Sequence, residues 1–104
     1  MKNKRRRVDF DLINRAALVN VHQVLRRWLP DGRLEGREYV SRNPRRADRR
    51  HGSFKINIVT GKWADFATGD RGGDLVSLAA YLAGCGQTEA ARELAAMLGL
   101  PTDE

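Results

Sequence analysis

Five arginines within ten residues are the strongest chemical signal in this sequence. Residues 42–51 read RNPRRADRRH, where Arg42, Arg45, Arg46, Arg49 and Arg50 have only Asp48 nearby as a counter-charge. A stretch with no large apolar residue belongs on the surface. Guanidinium groups present planar forks of donors that match phosphate oxygens bidentately and also stack on bases. The chemistry implied is contact with a phosphodiester backbone. Lys55 and Lys62 flank a candidate hairpin and extend this basic set, and Arg71 sits in a glycine-rich turn within reach of a backbone phosphate. Trp63, between the two groups, is the aromatic candidate for stacking on a base. The charged N-terminal run, Lys2 and residues 4–7, adds non-specific affinity if it binds at all.

Other potential chemistry is weaker. Residues 68–74, TGDRGGD, form a glycine-rich turn before a helix, and backbone N–H groups in such a turn cradle phosphates in some proteins. Here the Gly-Lys-Ser/Thr of a P-loop is missing, and Asp70 and Asp74 would repel an anion. A turn closed by Asp74 as a helix cap accounts for the pattern better. Asp65 and Asp70 are a possible carboxylate pair, but no Ser/His/Asp or Cys/His arrangement supports catalysis, so no enzyme is expected. His22, His51 and Cys85 fall on separate elements without ligand spacing, which argues against zinc or any other cofactor. With one cysteine no intramolecular disulfide can form, and a reducing, cytoplasmic location is the natural expectation.

The charge is lopsided. Residues 1–55 carry 16 Lys/Arg against 6 Asp/Glu, and residues 56–104 carry 3 against 7. One half is therefore at +10 and the other at −4, which favours a polyanionic partner for the first half. No apolar run approaches the length that spans a bilayer, so no membrane association is expected.

These residues need a scaffold, and the hydrophobic pattern supplies one. Residues 1–10 read as a basic disordered arm and residues 11–104 as one domain. Ile13, Ala17, Val21, Val24, Leu25 and Trp28 recur at helical spacing, giving one amphipathic helix over residues 11–28, capped by Asp9 or Asp11 and ended by Pro30-Asp31-Gly32. Residues 37–41, 53–59 and 62–67 read as three strands, the last two joined in a hairpin at Thr60-Gly61. Alternation sets Trp63 and Asp65 opposite Ala64 and Phe66. Phe54 and Phe66 read as core. Asp74 opens a helix to about Leu82, and Thr88 caps a last helix that Gly99 and Pro101 stop. The expected fold is α+β: a small antiparallel three-stranded sheet with one N-terminal and two C-terminal helices and no metal.

In order along the chain stand a first helix, Gly36-Arg37-Glu38-Tyr39-Val40, Asn43-Pro44, Ser53-Phe54-Lys55-Ile56, Trp63-Ala64-Asp65-Phe66, Gly72-Gly73-Asp74-Leu75-Val76 and Glu89-Ala90-Ala91-Arg92-Glu93-Leu94-Ala95. This series resembles the N-terminal zinc-ribbon domain of bacterial, phage and plasmid DNA primases over roughly residues 12–100. In that family three Cys and one His bind a structural zinc. The matching positions here are Asn43, Arg46, Asp65 and Thr68, and none is a soft ligand. The resemblance thus implies a degenerate, metal-free form of the module. It further implies a non-catalytic DNA-binding accessory, favouring single-stranded or primed DNA in the replication of a mobile element. The alternative is an adaptor that docks on a primase, polymerase or helicase through its acidic, alanine-rich C-terminal helices.

Overall fold

A computed structural model describes residues 8–45 and 52–101. The basic arm lies outside the described residues except for its last three positions, and so do Arg46, Arg49, Arg50 and His51.

The N-terminal amphipathic stretch is two helices rather than one: α1, Phe10–Val19, and α2, Val21–Trp28. Asp9 caps α1, its carboxylate accepting from the Leu12 N–H at 3.0 Å. The break falls at Asn20. Its side-chain amide donates to the Ala16 carbonyl at 2.8 Å, and its backbone N–H is shared between the Ala16 and Ala17 carbonyls. Asparagine competes in this way with helical bonding and lets the chain change direction. The apolar stripe survives the turn, with Ile13, Ala17, Val21, Val24 and Leu25 all buried.

The sheet has five antiparallel strands in chain order: β1 Arg33–Glu35, β2 Glu38–Ser41, β3 Phe54–Asn57, β4 Trp63–Asp65 and β5 Arg71–Gly72. The expected three-stranded sheet with three helices is therefore corrected to five strands and four helices, within the expected α+β class. β1 and β5 are too short to carry a period-two signal. Each is a strand only because a neighbour supplies its ladder. Gly36, at φ +63, makes the tight turn that folds β1 back on β2. The hairpin at Thr60-Gly61 is present, with the Asn57 side chain accepting from the Val59 and Thr60 N–H groups.

Two more helices complete the fold: α3, Leu75–Ala83, and α4, Gln87–Met97. Asp74 caps α3 in a reciprocal box with Ser77, as its place after two glycines suggested. Thr88 does not cap α4; Gly86 stands at that position, without a side-chain bond. The core gathers Leu25 and Leu29 from the α2 region, Tyr39, Phe54, Ile56 and Trp63 from the sheet, and Leu75, Leu78, Ala91 and Leu94 from α3 and α4. One face of the sheet is thus covered by helices.

Candidate nucleic-acid interface

Residues paired directly across antiparallel strands lie on the same face of a sheet. The register sets Tyr39, Ile56 and Trp63 on the core face, and it aligns Arg33, Val40, Lys55, Ala64 and Arg71 in one row on the opposite face. That row crosses all five strands. It carries a cation at each edge and one in the middle, with Val40 and Ala64 between them; Val40 is buried, so the row is open to solvent at its cations and not along its whole length. At about 4.8 Å per strand, neighbouring cations start about 10 Å apart. Arg42 extends the alternation beyond Ser41, and Lys62 extends it through the Asn57 N–H bond to the Lys62 carbonyl, so both join this outer side. Arg42, Lys62 and Arg71 are exposed. Glu35 and Glu38 temper the charge, bonding Arg33 at 2.7 Å and lying 3.8 Å from Lys55. Asp31 stands 3.6 Å from Arg42. Pairs this exposed are held weakly, so an incoming phosphate competes with them readily.

Trp63 at the start of β4 and Phe66 just after its end have roles opposite to those expected. Trp63 is only 5% exposed. Its indole N–H donates to Ser77 Oγ at 2.9 Å, and its ring packs on Tyr81 at 4.7 Å and edge-on to Phe54 at 6.2 Å. No indole face is left open for a base, which corrects the sequence reading. Phe66, expected in the core, is instead 71% exposed. Its N–H bonds the Ser53 carbonyl, continuing the β3–β4 ladder, and the Lys55 ammonium lies 5.9 Å from its ring centre. The alternation of residues 62–67 was legible; which side the helices would cover was not. Gly72 decides it. A side chain there would collide with the Trp63 indole and Ser77 Oγ, so the glycine makes room for tryptophan to turn inward.

Beneath the end of the sheet lies a buried polar cluster. Asn43 is 1% exposed and Asp65 is 0% exposed. The Asn43 amide nitrogen donates to Asp65 Oδ2 and also contacts the Tyr81 hydroxyl, each at 2.8 Å, and that hydroxyl donates to Asp70 Oδ2 at 2.7 Å. Asp65 Oδ1 accepts from the Ala67 N–H, and the Asp65 backbone holds the turn that follows through Thr68, Gly69 and Asp70. Asn43 Oδ1 accepts from the Arg45 N–H at 2.8 Å, and the Arg45 guanidinium lies 5.7 Å from the Tyr81 ring centre, beside Gly84. Two of the four positions that the primase resemblance aligned with metal ligands, Asn43 and Asp65, are thus joined directly. Thr68 lies nearby in the turn, and Arg46 is outside the described residues. Among the described residues no three His, Cys, Asp or Glu side chains gather as a metal site would require.

Of the expected interface residues, Lys55, Lys62, Arg71 and Arg42 come together on the outer side. Arg45 turns instead toward α3, and Trp63 goes into the core. Sequence reasoning missed Phe66 as an exposed aromatic and Tyr81 as the hub of the polar cluster. Tyr81 gave no signal because its partner Asn43 is 38 residues away. Burial raises the Tyr81 pKa above the usual tyrosine value, with the Asn43 bond opposing and Asp70 and Asp65 assisting. Cys85 is half-buried, and burial with Glu89 and Glu93 nearby pushes its thiol up, away from reactivity. His22 is exposed on α2. No helix among the described residues is long and apolar enough to cross a membrane.

No protein-family model matches this chain, and no curated protein matches its sequence.

Proposed function

We propose that this protein is a non-catalytic accessory that binds single-stranded or primed DNA, a metal-free offshoot of the primase N-terminal module serving replication of a mobile element. The observation that carries the reading is the outer face of the sheet. It carries the cations Lys55, Lys62, Arg71 and Arg42 and one exposed aromatic ring, Phe66, with the Lys55 ammonium 5.9 Å from the ring centre. Cations that track a backbone beside a ring that stacks a base are the two components of single-strand binding. The lopsided charge supports a polyanionic partner in general, while the outer face itself draws two cations, Arg42 and Lys55, from the +10 half and two, Lys62 and Arg71, from the other. The contact between Asn43 and Asp65 supports the kinship, because metal ligands of one site must converge in space as these two do. The test is fluorescence anisotropy of a labelled single-stranded oligonucleotide, with duplex DNA and RNA as competitors. The expected result is micromolar or tighter binding that Phe66→Ala weakens by about 1–3 kcal/mol. Wild-type affinity in that variant would remove the stacking role, and duplex outcompeting the single strand would remove the preference.

A second reading has its own observation. A groove of about 770 Å³ runs between α2, α3 and α4, lined by Trp28, Ala79, Leu82, Leu94 and Met97 with Arg27 and Glu93. Such a groove suits an amphipathic helix of a protein partner, as the adaptor alternative requires. A stoichiometric complex with a primase, polymerase or helicase that survives nuclease treatment and is lost in Leu82→Glu would favour it.

A further inference from the structure

Asn43, Tyr81, Asp65 and Asp70 form one hydrogen-bonded cluster at the point where the chain leaves β2. Strand β2 ends with Ser41 facing inward, Arg42 outward and Asn43 inward again. The inward turn of a polar amide into a covered site needs partners, since a buried amide left without hydrogen bonds forfeits its hydration with nothing in return. Asn43 finds them on two other segments: Asp65 at the end of β4 and Tyr81 on α3. Tyr81 is itself fixed by packing on Trp63 and by donating to Asp70. Two residues after Asn43, Arg45 is held by three features. Its N–H bonds Asn43 Oδ1, its guanidinium lies over the Tyr81 ring, and it stands at the C-terminal end of α3. A cation is favoured there by the helix dipole. Gly84, at φ +69, is the residue that leaves space for it.

Resting on the DNA-binding reading, we infer that Asn43 and Tyr81 are positioning residues for the interface. They dock the root of the arginine-rich segment on α3, so that Arg42 is presented on the outer sheet face and Arg45 at the end of the helix. Neither touches DNA. Their contribution to affinity passes through the two arginines, by removing the conformational freedom that these would otherwise lose on binding.

A double-mutant cycle tests this, because coupling through named partners is distinguishable from general loosening of the fold. Single-stranded oligonucleotide affinity is measured for the wild type, Asn43→Ala, Arg42→Ala/Arg45→Ala, and the triple variant. Tyr81→Phe is carried in parallel in both backgrounds. It keeps the ring against Trp63 and Arg45 and deletes only the hydroxyl bonds, so it serves if Asn43→Ala does not fold. The expected result is an affinity loss of about tenfold for Asn43→Ala in the wild-type background and almost none once the two arginines are gone. Tyr81→Phe follows the same pattern with a smaller loss. Equal losses in both backgrounds, or no loss in either, overturn the inference while leaving DNA binding intact. A wild type that binds no oligonucleotide overturns the inference together with the reading beneath it.

Discussion

Trp63 and Phe66 differ by three residues and by almost everything else. Replacing Trp63 with Ala removes a ring packed on Phe54 and Tyr81 and leaves Ser77 Oγ without the indole donor. The expected loss is about 3–5 kcal/mol of stability. Phe66→Ala removes a ring that lies in water and changes stability by about 0.5 kcal/mol or less. Denaturant titration of the two variants checks the assignment, and a larger loss for Phe66→Ala than for Trp63→Ala would mean that the two faces are reversed. The two tyrosines of the chain give a second, independent check. Burial raises both: Tyr39, opposed by Arg26 and assisted by Asp31, and Tyr81 as described above. Both hydroxyls donate in the native state, Tyr39 to the Leu29 carbonyl at 2.7 Å. An acid whose folded pKa lies above its unfolded value favours the fold while neutral. Stability is therefore intact below about pH 10, where free tyrosine ionises, and falls as pH rises past it. Phenolate absorbance should appear at higher pH in the native protein than in the denatured one, and coincident curves would exclude the burial of both rings.

At the scale of elements, what the sequence revealed depended on whether a segment carries its own signal. Asp74 after two glycines, before Leu75 and Leu78, announced a capped helix, and the box with Ser77 is there. Asp74→Ala should cost about 1 kcal/mol, or about 4–8 °C in Tm for a domain of this size. Thr88→Ala should cost almost nothing, because Gly86 and not Thr88 stands at the start of α4. Thermal melts of the pair decide between the two cap assignments. The strand cores around Ile56 and Trp63 were legible because alternating burial stamps a period of two on the residues, whereas in β2 Tyr39, Val40 and Ser41 are all buried. β1 and β5 were not legible. Arg33–Glu35 is exposed throughout and Arg71–Gly72 has two residues, so their strand character resides in β2 and β4, their partners in the ladder. The division of the first helix was hidden for a similar reason. The apolar spacing runs unbroken from Ile13 to Leu25, and only the local bond from Asn20 to Ala16 turns the chain.

At the scale of the whole molecule, the described cations of the candidate interface stand in two places. One is the outer face with Lys55, Lys62 and Arg71; the other is Arg45, which leans on α3 at the start of the arginine-rich stretch of the sequence. The sequence announced both sets of cations but could not divide them, since strand register is what aligns Arg33, Lys55 and Arg71 in one row. Salt dependence of binding can make the division. Each phosphate neutralised on a single strand contributes about 0.7 to the slope of log affinity against log salt. If the outer face carries the backbone, Lys55→Ala/Lys62→Ala/Arg71→Ala should flatten the slope by about 2 units. These side chains are exposed or half-exposed, so their loss should leave the fold intact. The counterpart, Arg45→Ala/Arg46→Ala/Arg49→Ala/Arg50→Ala, removes four charges from the segment. A larger flattening there, with the outer-face variant unchanged, would move the interface to the segment and reduce the sheet to its scaffold. Flattening in both would mean that one strand of DNA runs across the sheet and onto the segment. In that case the docking of Asn43 on Asp65 and Tyr81 sets the angle between the two halves of a single path.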